Sequence, residues 1–231
     1  MSELTLPLAL FNLLPVIFTG FALWFLTRLV GDLVPPCRTM ARAGGVLIVL
    51  GGLSKAVWKL ILVTTGQDLA WLASALFPLM APGFALLAGA ALGVSQRLRG
   101  RGEVAWIQHA VAAAILVVVG AVVVRTLGMG IQRGWFLPLL GLTSVANLVL
   151  SLVLIASALR LGRKDAALLF GVNLAMVFAL PPIAMASPDT LFMHWLEQIL
   201  TAIGTAAFAL GAYWLWRSAC ASAVLDLRRA R

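Results

Sequence analysis

Seven apolar stretches, at about 5–30, 42–64, 68–95, 104–125, 134–159, 166–187 and 191–217, take up most of this chain. Each can cross a bilayer, whose hydrocarbon core is spanned by about 20 mostly apolar residues in helical form. A helix on the surface of a soluble domain needs only one apolar face. Only 11% of the 231 residues are charged and 62% are hydrophobic, whereas roughly a quarter of a soluble domain is charged. The expected fold is an all-α integral membrane protein: one domain over 1–231 with seven transmembrane helices and no room for an extramembrane domain. The first stretch is expected to be a span and not a cleaved leader. Glu3 stands where a leader is basic, and the apolar run is too long for a leader's core.

The net charge of +9 could suit nucleic acid, but its placement argues for membrane orientation instead. Thirteen of the 17 Lys and Arg residues fall on one side of the expected membrane. Loop one carries Arg28, Arg38 and Arg42; loop three Arg97, Arg99 and Arg101; loop five Arg160, Arg163 and Lys164; the tail Arg217, Arg228, Arg229 and Arg231. Arg125 and Arg133 lie opposite. The positive-inside rule then places the N-terminus outside and the C-terminus in the cytoplasm, in a multi-pass protein of the cytoplasmic (inner) membrane. Cys37 and Cys220 both face the cytosol on this threading and are expected to be free thiols. Tryptophans near the helix ends read as interfacial anchors. The glycines of "GGVLIVLGG", and Gly89 with Gly93 in "LAGAALG", read as sites of close helix packing.

Spans three and seven align without gaps, "WLASALFPLMAPGFALLAGA" from Trp71 on "WLEQILTAIGTAAFALGAYW" from Trp195. Span one, "LPLALFNLLPVIFTG" from Leu6, begins like span five, "LPLLGLTSVANLVLS" from Leu137. Both repeats run the same way through the membrane, with span four as linker: a 3+1+3 parallel-repeat plan. As architecture this resembles the SWEET and PQ-loop sugar and amino-acid carriers, and microbial rhodopsins have the same plan. The motifs of both are missing, since the chain has no Pro-Gln dipeptide and its seventh span has no lysine to carry retinal. Prolines inside spans mark expected helix breaks at Pro15, Pro78, Pro82, Pro181 and Pro182, because each removes a backbone donor. Carrier folds use such breaks as hinges and ligand sites.

Lys55 and Lys59 lie within span two, and Glu197 is the only acid within the spans. A charge at such a position costs at least ~2.5 kcal/mol on insertion scales, so it is expected to have a partner or a role. Counted at 1.5 Å per residue, Lys59 lies about 7–8 Å below the outer end of its span and Glu197 about 9 Å. Matching depth pairs these two. Lys55, one turn deeper near the level of Thr201, is left without a carboxylate. It can snorkel beside Lys59, share Glu197, or bind an anion such as a carboxylate or lipid phosphate. His194 and Gln198 share a helix face with Glu197. His194 and Glu197 are two ligands where a metal site needs more, so no metal or cofactor is expected. Ser187, Asp189 and His194 form a nominal hydrolytic set on an outer loop, but a triad is decided by geometry and not by short spacing. Asn147 and Asn173 are expected to join helices.

The function expected from these residues is a small carrier or binder of an anionic or lipid-like ligand, with an outer-half pocket formed by Lys55, Lys59, His194, Glu197 and Gln198. The alternative is a non-transporting membrane subunit, sensor or scaffold that docks a membrane-protein partner, or a second copy, through its helices and short loops. The expected surroundings are the lipid bilayer. Neither nucleic acid nor catalysis is expected.

Overall fold

The computed structural model describes residues 5–101, 105–186 and 190–229, the side chains of 181–186 and 222–229 excepted. The fold is all-helical, with 89% of residues in helix and no strand among those described. Hydrocarbon supplies no partner for a peptide group, so an apolar chain satisfies its backbone by closing its own hydrogen bonds. The elements are α1 (Leu6–Phe11), α2 (Leu13–Leu33), α3 (Arg38–Thr65), α4 (Ala70–Ser74), α5 (Leu76–Leu98), α6 (Ala105–Val123), α7 (Phe136–Arg160), α8 (Lys164–Ala186) and α9 (Leu191–Arg229). A short 3₁₀ turn, Pro35–Cys37, leads into α3, and a π-helical turn, Val124–Gly128, extends α6. The last helix continues twelve residues past the expected limit of its span.

Six of these units are long and apolar enough to cross a membrane: Leu6–Leu33, Pro35–Thr65, Ala70–Leu98, Ala105–Gly128, Phe136–Arg160 and Leu191–Ala221. The 23-residue α8 lies between α7 and α9. Helix ends follow local chemistry. Thr65 is followed by Gly66 at φ 72°, whose N–H closes on Leu62 O, and α7 ends before Gly162 at φ 70°. Only glycine adopts that left-handed conformation without penalty.

The helices close a ring: α2 packs on α3, α3 on α5, α5 on α7, α7 on α8, α8 on α9, and α9 back on α2. Helix α6 stands outside this ring against α5 and α7, with Leu116 and Val117 69% and 72% exposed. The tightest seam joins α3 to α5. A Cβ on Gly44 would come within 2.7 Å of Gly83 O, and one on Gly83 within 3.0 Å of Gly44 O. The glycine pairs of α3 divide by face. Gly44 and Gly51 meet α5, while Gly45 and Gly52 meet Leu23 and Val16 of α2. One helix thereby approaches two neighbours closely, which is how small residues drive helix association in lipid. On the far side, buried Phe170 of α8 lies against Gly211 and stacks edge-on to Phe208 of α9.

Candidate functional site

Two of the five expected helix breaks are present, and they sit beside each other in space. The first span is interrupted at Asn12, three residues before Pro15, and the third at Ala75, three residues before Pro78. A proline has no N–H for the carbonyl four residues earlier, so strain is relieved in the preceding turn. At Pro82, Pro181 and Pro182 the expected break does not occur, and helix runs through all three. Next to Pro82, Gly83 is packed closely against Gly44 and Ile48 of α3.

Between these two interrupted spans, α3 and α9 lies a cavity of about 260 Å³. Its polar wall is made by Asn12 and Thr19 of the first span, Lys55 and Lys59 of α3, and Gln198 and Thr201 of α9. Leu76 and Met80 of α5 close one apolar side, and Pro15 and Val16 another. Among the described residues no Asp or Glu lines it. Lys55, Lys59 and Gln198 therefore meet in one cavity. Glu197 and His194 do not line it. His194 lies in the first turn of α9, its N–H on Thr190 O at 3.1 Å.

The expected Lys59–Glu197 ion pair is not made: among the described residues the only ion pair is Arg163–Asp165. Lys59 Nζ instead donates to Asn12 Oδ1 at 3.3 Å, and Asn12 Nδ2 donates to Leu8 O at 2.8 Å. The physical reason lies in the order of the ring. Helices α3 and α9 are both neighbours of the first span, which stands between them, so equal depth does not bring their side chains together. Lys55 is accessible and makes no hydrogen bond or ion pair among the described residues. On α9, Thr201 and Thr205 donate to Glu197 O and Thr201 O at 2.7 and 2.9 Å. Each hydroxyl proton is thus spent within the helix, and each oxygen remains able to accept from the cavity side.

Asn12 is a site residue that sequence reasoning passed over. The available signal was a polar side chain in "LFNLLP", just before the proline that opens its turn. Edge-on stacking of Phe11 on Trp195, 5.5 Å between centroids, ties the end of α1 to α9 beside the cavity. Of the remaining candidates, Asn147 and Asn173 are buried, and Asn173 Oδ1 lies near Gly204 of α9. His109 is exposed, with Nδ1 3.0 Å from Ala105 O. Ser187 and Asp189, two members of the nominal hydrolytic set, lie outside the described residues. Cys37 and Cys220 are free thiols, and the described residues hold no cluster of metal-ligating side chains.

No protein family, curated protein or solved structure matches the chain.

Proposed function

We propose that this chain is a seven-span protein of the cytoplasmic membrane that binds, and carries, a small anionic or lipid-like ligand in the cavity beside Lys55. One observation carries the reading: among the described residues two lysines line a cavity with no carboxylate in its wall, and one of them, Lys55, makes no hydrogen bond or ion pair. An ammonium in a membrane interior is expensive unless something neutralises it. A bound carboxylate or phosphate would supply that neutralisation. At about 260 Å³ the space lies just under the ~300–1,000 Å³ of drug-sized sites, which suits a small metabolite or a headgroup.

Movement is supported by where the helices are interrupted. Asn12 and Leu76, at the two interruptions, both line the cavity, as broken helices do at carrier sites. The parallel 3+1+3 plan is supported by the order of the ring, spans one, two, three, five, six, seven, with span four outside. A half-turn of such a ring carries span one onto five, two onto six and three onto seven. The alignment of Leu6 with Leu137 puts Asn12 opposite Thr143, and the two side chains donate to the equivalent carbonyls, Leu8 O and Leu139 O. The orientation, N-terminus outside and C-terminus inside, rests on the thirteen basic residues of loops one, three, five and the tail.

The docking alternative draws on a separate observation, the outward apolar surface of α6. It requires the Lys55 cavity to be sealed and without a ligand. Mass spectrometry of material copurified in mild detergent separates the two readings. A small anion or lipid carried by the wild type and lost in Lys55→Ala supports the binding site and names the substrate class for transport assays. Identical, ligand-free spectra would move the assignment to a docking subunit.

A further inference from the structure

A second cavity, about 840 Å³, opens between α2 and α3 on the outward face of the ring. Its two ends differ in chemistry. Arg28, Asp32, Arg38 and Arg42 line one end, with Trp216 of α9 beside them; Gly20, Leu23, Val46 and Leu50 line the other. The helices run antiparallel, so twelve residues on each, Gly20 to Asp32 and Arg38 to Leu50, mark out a groove ~18 Å long. One leaflet of hydrocarbon is ~15 Å thick. The groove is therefore about as long as one phospholipid is deep. Trp24 and Val46, each 58% exposed, lie along it and open it to the bilayer.

The charge at the polar end is unbalanced. Three guanidinium groups face a single carboxylate, and Asp32 Oδ2 already accepts from Trp216 Nε1 at 3.2 Å, with Cys220 Sγ at 3.8 Å. None of the three arginines forms an ion pair among the described residues. Arg28 stacks on Trp24 and Trp216, 4.9 and 5.8 Å from the ring centroids. Arg38 folds against Gly31, where a Cβ would come 3.3 Å from its Nε. Arg28 and Arg38 are thus positioned, and among the described residues the forked donors of the three arginines meet no carboxylate in an ion pair; a phosphate matches that geometry.

We propose that this groove holds one anionic phospholipid, its phosphate among Arg28, Arg38 and Arg42 and an acyl chain along Gly20, Val46 and Leu50. A free phosphate would use only the arginine end and leave the apolar half empty. On the proposed orientation the lipid belongs to the cytoplasmic leaflet. The site is separate from the Lys55 cavity and does not depend on the ligand bound there.

The test is native mass spectrometry of the full chain in mild detergent, titrated with dioleoylphosphatidylglycerol, dioleoylphosphatidylcholine or inorganic phosphate. The wild type is expected to bind the anionic lipid at least about tenfold more tightly than the zwitterionic one, because the arginines attract the net negative headgroup. Arg38→Gln with Arg42→Gln should remove that preference. Gly20→Leu should weaken binding of the same lipid with all arginines in place, since Gly20 lines the groove and a Cβ there meets no atom within 4 Å; an unchanged melting temperature of the lipid-free variant checks that its fold is kept. Equal binding of the two lipids, displacement by inorganic phosphate at matching concentration, or no effect of Gly20→Leu would each overturn the proposal.

Discussion

Lys59 of α3 donates to Asn12, the residue at which the first span is interrupted, and Asn12 in turn donates to Leu8 O. A charge that a membrane would otherwise exclude is thereby attached to the interruption beside the cavity. A hydrogen bond to a charged group contributes ~1.5–3 kcal/mol in water-soluble proteins, but polar contacts between membrane helices average ~0.6 kcal/mol. A coupling of about 1 kcal/mol between Asn12→Leu and Lys59→Met is expected from a double-mutant cycle of unfolding in detergent. Strict additivity of the two substitutions would show that the contact carries no energy.

Lys55 presents the opposite case, an ammonium with no bond to lose. Lys55→Ala is expected to leave the ligand-free melting temperature unchanged or raised, and to reduce binding of an anionic ligand by at least about tenfold, roughly 1.4 kcal/mol. Thermal unfolding of delipidated protein checks the first expectation, and retention of the copurified ligand the second. Destabilisation of the ligand-free protein would mean that Lys55 has a structural partner after all.

The α3–α5 seam can be probed through backbone proximity. Gly44→Ala would force a Cβ to 2.7 Å from Gly83 O, so the helices must separate, at a cost of about 1–3 kcal/mol. Gly141→Ala in α7 introduces a methyl with no atom within 4 Å. It should be neutral, or stabilising by up to ~1 kcal/mol through helix propensity. Comparing the two melting temperatures tests whether close packing, and not glycine content, holds this seam.

A pH dependence is expected at the loop between α7 and α8, ahead of the apolar run of α8. Arg163 grips Asp165 with two hydrogen bonds, 2.9 and 2.6 Å, donates to Ser218 Oγ at 3.1 Å and lies over the Trp214 ring. The Arg163 guanidinium holds the Asp165 carboxyl below the ordinary carboxylate range. A lowered carboxyl pKa stabilises the fold above the unfolded value, ~3.9, and that contribution is lost as pH falls through the folded value. The wild type should therefore melt above Asp165→Asn at pH 7, and the gap should close below about pH 4. A gap that is unchanged at pH 3 would remove Asp165 from the account.

The all-helical character, the apolar runs long enough to cross a membrane and the place of Lys55 and Lys59 within one of them were legible in the linear sequence. Apolar runs of that length have no way to satisfy their backbone in lipid except as helices, and a rise of 1.5 Å per residue converts position into depth. Depth is one coordinate. The sequence contains no comparable measure of angle around the ring, and that angle decided the partners. It put the first span between α3 and α9, gave Lys59 to Asn12 instead of Glu197, and packed Gly83 closely against Gly44. It also gathered Arg28, Arg38 and Arg42, which in the sequence signal only orientation, around one groove. Burial along the membrane normal is set locally by each segment's own composition, whereas adjacency is set by which faces pack closest, a property of several helices at once.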